Sequence, residues 1–170
     1  MICPDCGHDN IDGVDVCEAC GQSLVAYDPV GSELEESISR HSIDVLVPRE
    51  PITVEADVSV RDAIKTMVEQ RIGCLLILEQ GELAGVFSER DVLNKVSIDL
   101  SNMDRPVSEL MTRSPDTISR RDSIAYAMHA MDLGGYRHVP IVNDGGKATG
   151  IISVRDILRF LCLRFANSRA

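Results

Sequence analysis

Residues 85–93 read GVFSERDVL and residues 150–158 read GIISVRDIL. Each is Gly, two apolar residues, Ser, any residue, Arg, Asp, an apolar residue and Leu, and the two copies lie 65 positions apart. The match extends outward. An offset of 64 lays Arg49 on Arg113, Pro51 on Pro115, Thr53 on Thr117, Val54 on Ile118, Ser59 on Ser123, Ala63 on Ala127, Met67 on Met131 and Ile77 on Ile141. A match this long with a single gap makes the body of the chain a duplicated module.

Both copies carry the same order of periodicities. A short extended piece (51–54) precedes an apolar stripe at helical spacing, Val60, Ala63, Ile64, Met67 and Val68. The apolar run 74–78, a Gly turn and the run 83–87 read as two strands, and Ser88 opens a closing helix. In the second copy the stripe is Ile124, Ala127, Met128 and Met131, the strands are 138–142 and 148–152, and the last helix covers 156–164. The methionines read as core, and Cys74 and Cys162 as buried thiols, because each falls in an apolar run. His129 reads as a helix-surface residue rather than a catalyst.

The lead strands, the Arg137-His138-Val139-Pro140-Ile141-Val142 strand and the two GxxSxRDxL helix starts resemble a tandem pair of CBS domains, over about residues 43–165. The resemblance implies an α+β fold in which two β-α-β-β-α modules, 43–99 and 106–165, pack about a pseudo-twofold axis. It also implies two clefts that take adenosine-containing ligands, and dimerisation through the modules. In such a pair the Asp of the motif holds the ribose, which places Asp91 and Asp156. Thr53, Val54, Thr117 and Ile118 would then flank the base.

The repeated Ser-x-x-Asp admits two physical readings. Ser88 with Asp91, and Ser153 with Asp156, have the spacing of a capping box, in which the carboxylate reaches back to the cap amide. The same Asp can accept from a ribose diol while the hydroxyl and the free amides of the helix start hold phosphate. Arg90 and Arg155 lie inside the motif. The copies differ where a phosphate would be neutralised: the second has Arg137, His138 and Pro140 where the first has Gly73, Cys74 and Leu76. A cation strengthens anion binding, so the Asp156 cleft is expected to be the stronger site and the Asp91 cleft weak or empty.

Ahead of the repeat stand Cys3-Pro-Asp-Cys6-Gly and Cys17-Glu-Ala-Cys20-Gly. Two CxxCG knuckles place four thiolates as a closed tetrahedral site, which reads as structural zinc on Cys3, Cys6, Cys17 and Cys20, with iron the competing metal. Disulfides or a redox dithiol fit this spacing less well. Residues 1–24 then form a zinc ribbon that metal binding must stabilise, since so few apolar residues cannot. Residues 25–42 read as an acidic linker with a short helix capped by Ser32.

Charge narrows the partners. Residues 1–42 hold nine acidic residues and one basic residue, nearly all of the chain's net charge of −10. Nucleic-acid binding depends on Lys and Arg neutralising phosphates, so this head is a poor candidate for it. The longest apolar run, five residues, is far short of the roughly 20 that cross a bilayer. The start of the chain does not read as a signal peptide, and a cytoplasmic location is expected. The sequence shows no nucleophile with a base, no phosphate-binding Gly loop and no open metal site. The expected function, as the resemblance to a CBS pair implies, is a non-enzymatic sensor of AMP, ADP, ATP or S-adenosylmethionine, homodimeric, with the ribbon contacting a partner protein. The alternative is a constitutive dimerisation scaffold whose Ser-x-x-Asp motifs only cap helices.

Overall fold

The computed structural model describes residues 2–3, 5–11, 14–24 and 33–167. Residues 25–32 of the expected linker, with the Ser32 cap, lie outside them. The chain divides into two compact units, residues 1–37 and 38–170.

In the first unit each CxxCG knuckle is a tight turn closed by the same pair of bonds. Gly7 N–H donates to Cys3 C=O at 2.9 Å and Gly21 N–H to Cys17 C=O at 2.9 Å. Both glycines sit in the left-handed region, at φ 72° and 74°, which a side chain would strain. Leu24 and Val14 pack on Cys3 and Cys17 as a miniature core.

Helix α1 covers Glu33–Arg40, and in the second unit a 3-10 turn, Ile43–Leu46, leads to the first copy. That copy comprises β1 (Thr53–Glu55), α2 (Val60–Gln70), β2 (Cys74–Glu79), β3 (Glu82–Ser88) and α3 (Glu89–Asp91). Further 3-10 turns connect it to β4 (Thr112–Arg113), α4 (Ile124–Gly134), β5 (His138–Val142), β6 (Ala148–Ser153) and α5 (Val154–Asn167). β1 runs parallel to β2, and β2 pairs antiparallel with β3. The second copy repeats this, except that its lead strand shrinks to one parallel bridge, Ile118 to Ile141.

The copies exchange their entry segments. β4, which leads into the second copy, pairs with β3 of the first, and Arg49, ahead of the first copy, bridges to Ile151 of the second. Val107 N–H donates to Val58 C=O at 2.8 Å, and Ile43 N–H to Asp122 C=O at 2.8 Å. Val60 N–H donates to Arg105 C=O at 2.9 Å, and Ile124 N–H to His41 C=O at 3.0 Å. Moving each residue by the repeat length turns one bond of a pair into the other, as a twofold relation requires. The cores follow suit: Val107, Leu110 and Met111 complete the first copy's core, while Ile43 is buried in the second's.

Four details correct the sequence reading. Val68 is 70% exposed, because the buried stripe of α2 is Val60, Ala63 and Met67 and Val68 lies about 100° round the helix from Met67. Met128 is exposed for the same reason, one step outside the Ile124, Ala127 and Met131 stripe. Cys162 lies on the exposed face of α5, whereas Cys74 is buried. The first copy's closing helix gives way after Asp91 to a wider π turn, Val92–Val96, with Ser97 N–H donating to Val92 C=O at 2.9 Å.

Candidate functional site

Both repeated motifs start a helix directly from the end of a strand, and both aspartates fold one oxygen back onto the cap. Asp91 Oδ2 accepts from Ser88 N–H at 2.9 Å and from Ser88 Oγ at 2.7 Å. Asp156 Oδ2 accepts from Ser153 N–H at 2.8 Å and from Ser153 Oγ at 2.7 Å. The capping reading is thus correct for one oxygen of each carboxylate. It leaves Oδ1 to decide what else the residue can hold.

A cavity of about 260 Å³ lies between the two copies at the Asp91 start. The first copy contributes Cys74, Ser88, Arg90 and Asp91; the entry segment of the second contributes Thr112, Ser114, Pro115 and Asp116; the turn after α4 contributes Gly135, Tyr136, Arg137 and His138. Arg90 donates across the cavity to Gly135 C=O, joining the copies. Tyr136 Oη donates to Asp116 Oδ2 at 2.8 Å, and burial with that acidic neighbour pushes the phenol up to about 12. Burial, reinforced by the Arg137 charge, holds His138 below its ordinary value.

This arrangement adds to the assignment made from spacing. Arg137 and His138 line the Asp91 cavity together with Ser88 and Arg90, rather than standing with Asp156 alone. Thr53, Val54, Thr117, Ile118, Pro140, Ser153, Arg155 and Asp156 are not among its lining residues. Ile118 is buried, and its backbone is spent on the sheet: its N–H donates to Pro140 C=O at 3.0 Å and its C=O accepts from Val142 at 2.9 Å. Thr112 and residues 114–116, a few positions earlier in the chain, line the cavity. Asp156 Oδ1 faces the Arg49 guanidinium at 3.8 Å, beyond hydrogen-bond reach.

In the other unit the sulfurs of Cys3, Cys6, Cys17 and Cys20 all lie within 4.8 Å of one another. Cys3 to Cys20 is 3.7 Å and Cys6 to Cys17 is 3.6 Å. With zinc–sulfur bonds of about 2.3 Å, the edge of a tetrahedral site is about 3.8 Å, so the donor set fits zinc. Asn10, buried, donates to Cys17 Sγ at 3.6 Å and accepts from Glu18 N–H at 3.0 Å. Burial opposes the Cys17 thiolate, but the amides of Cys20 and Ala19 and the Asn10 side chain outweigh it and lower Cys17 to about 6.

The CBS-domain family model matches residues 43–98 and again 107–163. The chain belongs to the CBS-domain family. A curated 17.7 kDa protein of Acidianus ambivalens is 32% identical over 109 residues, 64% of this chain and 65% of that one. The mitochondrial CBS-domain protein CBSX3 of Arabidopsis thaliana is also 32% identical, over 61% of this chain and 52% of its own length. The chain thus spans about half to two thirds of these relatives. Among solved structures, a CBS-domain protein of Agrobacterium tumefaciens aligns at TM-score 0.66 and 28% identity, over 70% of this chain and 98% of that one. The CBS pair of protein MJ0100, solved with 5′-methylthioadenosine and S-adenosyl-L-methionine, aligns at TM-score 0.67 and 23% identity, over 73% and 98%. A Pyrobaculum aerophilum CBS-domain protein complexed with AMP aligns at 0.66 and 24%, over 75% and 99%. Among the described residues no helix is long and apolar enough to cross a membrane.

Proposed function

We propose that the CBS pair is a regulatory, non-catalytic module in the cytoplasm that senses an adenine nucleotide or another adenosyl ligand. The observation that carries this reading is the cavity at the seam of the two copies, where a helix start with its Ser and Asp meets Arg90, Arg137 and His138. Helix-start amides and guanidinium groups are the chemistry of a phosphate, and a carboxylate oxygen left open beside a helix start is that of a ribose diol. The AMP-bound and S-adenosylmethionine-bound CBS structures support the ligand class. Because both copies line the cavity, a ligand that prefers one relative arrangement of them shifts the population toward it.

Zinc on Cys3, Cys6, Cys17 and Cys20 supplies the ribbon's folding energy, and four protein ligands leave no open coordination position. The acidic ribbon acts as a handle for a partner protein rather than for nucleic acid. Exposed Met128, Leu133, Leu158 and Leu163 on α4 and α5 support a homodimer through the CBS unit.

Thermal unfolding with AMP, ADP, ATP and S-adenosylmethionine in turn tests the proposal. A rise in Tm with at least one ligand, lost when the cavity-lining Arg137 is replaced in Arg137→Ala, supports sensing. No shift with any of them leaves the dimerisation scaffold.

A further inference from the structure

The two helix starts are nearly identical in sequence, yet their second carboxylate oxygens differ in what occupies them. Asp91 Oδ1 accepts from Lys95 Nζ at 2.7 Å and lies 3.4 Å from Thr112 Oγ1. With both Ser88 donors on Oδ2, this buried carboxylate already has four donors. An ionised carboxylate offers about four lone-pair sites, so nothing remains for a diol. Lys95 is anchored at its other side as well, donating to Leu110 C=O at 2.6 Å. An ammonium held by a carboxylate and a carbonyl in a half-buried pocket does not leave as readily as a surface lysine.

The second copy lacks this device. One repeat length after Lys95 stands Phe160, which carries no donor and packs on the second core and against His41, with ring centroids 5.5 Å apart. The cation facing Asp156 is Arg49, whose side chain is 69% exposed and too distant to bond Oδ1.

We propose that Lys95 is the residue that makes the two helix starts unequal as ligand sites. It holds the Asp91 oxygen that a ribose diol needs, so an adenosyl ligand places its ribose on Asp156 and enters the Asp91 cavity only by displacing Lys95. This rests on the sensing proposal above and deepens it, because the rank order of the sites comes from Lys95 and not from Arg137.

The test is titration calorimetry of the full zinc-loaded chain with AMP, for wild type, Lys95→Met and Phe160→Lys. Lys95→Met keeps the length of the stem and removes the donor. Wild type is expected to bind one AMP tightly per chain. Lys95→Met is expected to gain a second site tightened about tenfold or more, the scale of one charged hydrogen bond. Phe160→Lys builds the same lock on Asp156 and is expected to weaken the tight site by a similar factor; it remains informative should Lys95→Met fail to fold. Two equally tight sites in wild type, or unchanged binding in both variants while wild type binds AMP, overturns the lock and leaves sensing intact. No binding of AMP, ADP, ATP or S-adenosylmethionine by any of the three proteins overturns both.

Discussion

The Gly that opens each repeated motif provides the sharpest test of the exchanged architecture. A Cβ built on Gly85 would stand 2.5 Å from Met111 Sδ, 2.8 Å from Thr112 C=O oxygen and 2.9 Å from Met111 Cγ. All three atoms belong to the segment that crosses over to pair with β3, where Gly85 sits opposite Arg113 and Val86 opposite Thr112. The Met111 side chain can turn away, but the carbonyl cannot move without unzipping a strand of two residues. The φ of Gly85 is not left-handed, so the cost is steric. Overpacking a core position costs about 1–3 kcal/mol, and a backbone obstacle puts Gly85→Ala at the upper end, about 3 kcal/mol. For a chain of this size that lowers Tm by about 6–12 °C.

The twin position is an internal control. A Cβ at Gly150 would meet Ile141 Cδ1 at 3.2 Å, Pro48 Cβ at 3.3 Å and Arg49 C=O oxygen at 3.5 Å. Shifts of a few tenths of an ångström relieve these, and Gly150→Ala is expected to cost under about 1 kcal/mol. Circular dichroism melts of the two variants side by side decide the matter. A Gly85→Ala shift below about 2 °C, or one equal to that of Gly150→Ala, would refute the claim that strand exchange demands the first glycine.

Further outcomes follow from other contacts. A fragment ending at Asp104 lacks Val107, Leu110, Met111 and β4, so it should show no cooperative melt, whereas 38–170 should melt as one unit. Treating the purified chain with a strong chelator should release one zinc per chain and unfold the ribbon, with the far-ultraviolet signal of the CBS unit retained. Asn10→Ala removes a donor to Cys17 and is expected to weaken zinc binding about tenfold, measured by competition with a chromophoric chelator. In the zinc-loaded protein Cys162 should react with a thiol reagent at pH 8 while Cys74 does not, because burial and the charges of Asp91 and Glu89 push Cys74 up to about 12. Cys74 should become reactive only when the unit unfolds.

The site was partly legible in the chain. Ser88, Asp91, Ser153 and Asp156 announced themselves as a repeated helix start, and the structure bears out their capping geometry. Lys95 could have been found as well, since an acid followed four residues later by a base on a helix is an i,i+4 pair. Its bond to Leu110 C=O could not, because the two residues lie fifteen positions apart with no periodic pattern joining them. Nor could the meeting of Tyr136 with Asp116, or of Arg90 with Gly135, be read from sequence spacing.

The sequence by itself determined that the chain is a duplicated α+β module preceded by a cluster of four cysteines. Those facts reside in periodicity, spacing and ligand type, which are local. The tertiary structure alone decided which copy's residues share a cavity, because the copies trade their entry segments about a twofold relation. It alone decided that two matching aspartates differ in what their second oxygen holds. Both outcomes depend on donors brought together from distant parts of the chain, and no local pattern records where such groups meet.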